Sequence, residues 1–113
     1  MEIKLPKYRS EFEPRITEQA YSDLLQQAIP LMERAIQLYE TYCKTGKDDI
    51  LYPVFGEVVS RLRPKLRTLA YVAWSDMHNL AGRLSAAAEM SVFDIDRPHK
   101  ATFLYDLAGA VEP

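Results

Sequence analysis

Four cations stand within the seven residues that follow Ser60 in the stretch SRLRPKLR: Arg61, Arg63, Lys65 and Arg67. Guanidinium and ammonium groups at this density can hold phosphate oxygens or the carboxylates of an acidic protein. On a helix, at about 100° per residue, Leu62 and Leu66 point the same way. Arg61 with Lys65 and Arg63 with Arg67 then form two rows on either side of the leucines. Two readings fit this arrangement. In the first, the long aliphatic stems lie along the edge of an apolar seam and the charged heads stay in water. In the second, the four cations form an anion-binding patch that grips a phosphate backbone by charge and shape, with Lys4, Lys7 and Arg9 as further contacts. Base-specific readout is not expected, because the chain has no zinc-finger spacing, no RNP-type aromatic motif and no helix-turn-helix glycine turn.

A second set of residues suggests a helix interface. Ser75, Asn79, Gly82 and Ala86 fall within an arc of about 60° on a helix, opposite its apolar stripe. Small side chains there permit close approach of another helix, from this chain or from a partner. Gly82 costs ~1 kcal/mol relative to alanine in a helix interior, which a packing role would offset.

Residue types that often catalyse are present, but their spacing is wrong for it. Asp76 and His78 are two apart on a helix and project about 160° from one another, so they cannot hydrogen-bond as a dyad. His99 beside Lys100 reads as a turn residue, and Asp94 and Asp96 as turn formers or caps. One cysteine and two separated histidines make no zinc set, and the aspartate clusters lack the spacing of a calcium loop. No phosphate-binding glycine loop or nucleophile elbow occurs. Tyr39, Tyr42 and Trp74, at helical spacing, read as core aromatics rather than a cofactor box. The expectation is a protein that is not an enzyme and that uses no metal and no cofactor.

The elements that carry these residues follow from periodicity. At 113 residues with 48% hydrophobic content, the chain can bury roughly two thirds of its unfolded surface as one domain. Residues 1–16, with Pro6 and Pro14 and no helical repeat, read as an extended N-terminal arm. Residues 17–113 read as a single α-helical domain. Thr17 is a suitable N-cap, and Tyr21, Leu25, Ala28, Met32, Ala35, Tyr39 and Tyr42 recur in steps of three and four. The stripe keeps its phase across Pro30, which predicts one kinked helix from about 18 to 44, stopped by Gly46. Asp48 or Asp49 should cap a second helix, with Pro53 in its first turn and Pro64 ending or bending it. A third, central helix is expected beyond Pro64, carrying Leu66, Leu69, Ala73, Met77, Leu80 and Leu84 to about Met90. A short last helix should be capped by Asp96 and end at Gly109. The fold class is therefore all-α, a compact bundle of about four helices.

A formal charge of −2 assigns electrostatic recognition to local patches rather than to the whole molecule. A lone Cys43 fits a reducing compartment. No secretory or membrane-spanning hydrophobic run is visible, so a cytoplasmic protein that does not enter membranes is expected. The function these features point to is a helical protein–protein interaction module, an adaptor, inhibitor or small subunit of an assembly. Its partner would be another protein or a second copy of itself. The alternative is backbone-directed nucleic-acid binding through residues 61–67.

Overall fold

Thr17 starts the first long helix as its spacing predicts: its hydroxyl accepts from the amide of Ala20 at 3.1 Å, satisfying one of the amides that a helix start leaves without a partner. The computed structural model describes residues 1–113. It contains four α-helices and no strand: α1 Glu18–Thr45, α2 Asp48–Val72, α3 Trp74–Ser91 and α4 Lys100–Val111, preceded by a 3-10 turn at Ser10–Phe12. Helix α1 runs through Pro30 as one element and stops at Gly46, whose φ of 70° is the left-handed conformation that only glycine adopts without strain.

Three boundaries differ from the sequence expectation. Asp48 and Asp49 lie inside the first turn of α2, not at its cap, and Lys47 precedes the helix without a side-chain cap bond. Their carboxylates still suit the positive end of the helix dipole. Pro64 does not end α2. The break comes at Ala73, with φ −119° and ψ 54°. An uninterrupted helix from 48 to 91 would be ~66 Å long, whereas the domain's longest dimension is 47 Å, so the chain has to turn somewhere in this stretch. Ala73 is buried, and its methyl is small enough for a tight elbow. The apolar phase of α2 carries across this elbow into α3, which is why periodicity joined them. Finally, Asp96 does not cap α4. Asp94 instead accepts from the amides of Asp96 and Arg97 at 3.1 and 3.2 Å, fixing the preceding turn, and α4 passes Gly109 to bury Ala110 and Val111.

The helices pack as a four-helix bundle around one continuous core. Leu62, Leu66 and Met77 are fully buried, each contributing ~1.5–3 kcal/mol relative to exposure. At the end where α1 stops and α2 begins, Phe103 of α4 is the hub of a ring cluster. Tyr42 stacks on it at 4.7 Å, Phe55 lies at 4.8 Å and Tyr52 meets it edge-on at 5.2 Å. Tyr52 also donates to Asp106, and that bond together with burial pushes its phenol up to about 12.

The N-terminal segment is not loose. Ile3, Leu5 and Tyr8 pack on the core, and Phe12 is a core residue. Tyr21 of α1 donates to the carbonyl of Pro6; burial, with Asp76 adding to it, pushes this phenol up to about 12. Arg9 reaches Asp76 of α3 at 2.8 Å. The arm thus ties the start of α1 to the start of α3, and it brings its own cations to α3.

Candidate interaction surfaces

The four cations of residues 61–67 make different contacts within the chain. Arg61 pairs with Glu57 one turn back at 3.2 Å. Lys65 donates to Gln27 of α1 at 3.3 Å. Arg63 and Arg67 make no ion pair and line an open groove of about 480 Å³ between α2 and the end of α4. Ala70, Tyr71, Trp74, Gly109, Ala110 and Glu112 also line it.

Trp74 is not a core aromatic, contrary to the sequence expectation: it is 57% exposed, and Tyr71 is 69% exposed. Trp74 opens α3 just past the elbow at Ala73, and that turn carries it off the buried stripe. One indole face stacks on the His78 imidazole at 5.0 Å and an interplanar angle of 8°. His78 in turn meets Glu112 at 3.3 Å, so the ring is held in place.

Two neighbouring hollows are linked to this groove by shared lining residues. Tyr71 and Trp74 also line a hollow with Arg9 and Arg15, and Arg9 lines a polar cleft of about 370 Å³ with Lys4, Lys7, Asn79 and Arg83. The three form one band from α2 across the elbow to the arm and α3. Seven cationic side chains line it, namely Lys4, Lys7, Arg9, Arg15, Arg63, Arg67 and Arg83, against three acidic side chains, Glu11, Asp76 and Glu112. The chain as a whole is formally −2, so the band opposes the sign of the molecule. Only Lys4 and Arg9 of these cations are held by carboxylates, Lys4 by Glu2 and Arg9 by Glu11 and Asp76.

Ser75, Asn79, Gly82 and Ala86 are all exposed. No helix of this chain covers them, and a Cβ added to Gly82 would meet nothing within 4 Å. Asn79 joins the polar cleft and Ser75 the middle hollow. Asp76 and His78 are on different errands, one holding Arg9 and the other under Trp74.

A further surface went unrecognised in the sequence. In the last turn of α3 and the loop that follows it, Met90, Val92, Phe93 and Ile95 are 78, 52, 84 and 91% exposed. The backbone that carries them is pinned. Arg97 donates to the carbonyls of Cys43 and Lys44 at the end of α1, at 2.6 and 3.2 Å, filling acceptors that a helix C-terminus leaves open. The amide of His99 donates to Tyr42 at 3.2 Å, and Lys100 pairs with Asp94 at 3.4 Å. Two signals for these surfaces were available. Tyr71 continues the Arg63–Arg67 row at the next step of four, and Val92, Phe93 and Ile95 are apolar residues in a turn with no helical stripe to absorb them.

No family model, curated protein or solved structure matches this chain.

Proposed function

We propose that the protein is a non-enzymatic helical interaction module, an adaptor, inhibitor or small subunit of a larger assembly, that docks another protein on the loop between α3 and α4. The observation that carries this reading is the exposure of Met90, Val92, Phe93 and Ile95 on a backbone fixed by Arg97 and Asp94. Clustered apolar side chains of this size gain free energy when covered. Because the loop is already ordered, little conformational entropy is lost on docking. Residues 89–100 carry nearly balanced charge, the acids Glu89, Asp94 and Asp96 against the cations Arg97 and Lys100, and Asp94 pairs with Lys100 at 3.4 Å. The partner is therefore expected to offer an uncharged apolar face rather than a charged one, and binding should respond weakly to salt.

The test places a photo-crosslinking phenylalanine analogue at position 93 and compares native purification of the wild type with a Phe93→Asp, Ile95→Asp variant. A discrete crosslinked species, whose partner is lost from the double variant but survives raised salt, supports the reading. A chain that stays uncrosslinked and monomeric at all concentrations, or a partner that the double variant retains, overturns it.

A further inference from the structure

The band that joins α2, the elbow and the arm shares no residue with the loop between α3 and α4, and its chemistry is different. Its open cations stand beside two aromatic rings that face water. Burying Tyr71 and Trp74 in the core would remove apolar surface from water, yet the fold leaves both out. Trp74 is fixed on one face by His78, which leaves its other face available as a flat platform. Arg63 and Arg67 lie two turns and one turn before Tyr71 on the same row of α2, and Lys7 and Arg83 continue the positive charge beyond the elbow.

We propose that this band is a binding site for single-stranded nucleic acid, with Arg63, Arg67, Lys7 and Arg83 holding phosphates and unpaired bases stacking on Trp74 and Tyr71. Alternation of cations with exposed rings suits a strand whose bases are free to stack, since every base has a π-face and every linkage a charge. A duplex offers the charge but keeps its bases stacked internally, so the rings would be left unused. An acidic protein segment would use the arginines and likewise leave the indole's open face without a flat partner. The site differs from the four-cation patch suggested by residues 61–67: Arg61 and Lys65, engaged elsewhere, are outside it.

Trp74 is the chain's single tryptophan, so its fluorescence reports on the platform directly. The experiment titrates the full chain with a thymidine oligonucleotide of about 15 residues, a length near the upper end of known single-strand sites. The matching duplex and poly-glutamate serve as competing ligands, each at several salt concentrations. The expected result is saturable quenching by the single strand, with weaker binding as salt rises. The Arg63→Gln, Arg67→Gln double variant should lower the log–log salt slope by about 1.4, some 0.7 for each phosphate no longer held. Trp74→Phe retains a ring and should keep most of the affinity, read by anisotropy of a labelled strand. Trp74→Ala should lose roughly tenfold. The Arg61→Gln, Lys65→Gln variant, which changes the other row, should bind as the wild type does, and circular dichroism establishes that each variant is folded. Absence of binding, equal or tighter binding of the duplex or of poly-glutamate, or an Arg61, Lys65 variant that weakens binding as much as the Arg63, Arg67 one would each overturn the proposal.

Discussion

Phe93 and Trp74 both stand largely in water, yet the chain holds them by different means. Phe93 sits on a loop whose order comes from polar bonds beneath it: Asp94 closing the turn and Arg97 clamped on two carbonyls of α1. Trp74 sits on a helix and is steadied by a stacked imidazole and a carboxylate beyond it. The surroundings differ as well. Around Phe93 acids and cations are nearly balanced in number, with Asp94 paired to Lys100, while around Trp74 the cations outnumber the acidic side chains. If the first surface takes an apolar partner and the second a polyanion, as proposed, salt should separate them: screening weakens the second far more than the first.

The largest effect that tests this separation comes from the ring hub. Phe103→Ala removes the side chain on which Tyr42, Tyr52 and Phe55 converge, and a loss of ~3–5 kcal/mol in urea unfolding is expected for a buried phenylalanine. Because the hub lies under the loop's end of the bundle, native-state hydrogen exchange should rise first in residues 92–104 and later in the α2–α3 elbow. A loss below ~1 kcal/mol, or exchange that rises evenly, would mean that the two ends are not distinct structural neighbourhoods.

A smaller effect isolates the loop. Arg97→Ala leaves the last carbonyls of α1 without their charged donor, for which a cost of ~1–3 kcal/mol is expected. The sharper readout is local. Limited proteolysis should begin within residues 92–97, while Trp74 emission, reporting the other surface, stays unchanged. If the loop resists protease as well as it does in the wild type, the clamp is not what orders it.

These differences also explain what the sequence made legible. The helical stripes revealed the fold class, the Thr17 and Gly46 boundaries and the burial of Leu62, Leu66 and Met77, because burial on one face imposes a period on the residues themselves. The elbow at Ala73 was hidden for the same reason. It changes the direction of the chain without changing the phase of the stripe, and no glycine or proline marks it, whereas Pro64, which looks like a stop, sits on an exposed helical face. Placement of Arg63 and Arg67 against Gly109 and Ala110 depends on how α4 returns across α2, a meeting of residues more than forty positions apart that no local pattern encodes. The cations of the arm were visible as residues but not as neighbours of Asn79 and Arg83, since the arm has no period from which its path can be read.

The smallest predicted effect concerns the face opposite the core of α3. Gly82 is exposed in mid-helix with open space where a Cβ would stand, so nothing within this chain requires glycine there. Alanine at that position removes backbone freedom from the unfolded state and fits the helix without contact. Gly82→Ala is therefore expected to stabilise the isolated protein by ~0.5–1 kcal/mol, raising the melting temperature by about 2–8 °C for a domain of this length. The same methyl has the opposite consequence if another protein's helix rests on Ser75, Asn79, Gly82 and Ala86, because a close helix crossing has no room for it. Melting the variant alone and then titrating it with the partner crosslinked at position 93 distinguishes the cases. A more stable chain with unchanged affinity leaves the loop as the docking surface and the small-residue face as bare helix. A more stable chain that binds at least tenfold more weakly extends the interface along α3, toward the polar cleft that Asn79 shares with Lys7 and Arg83.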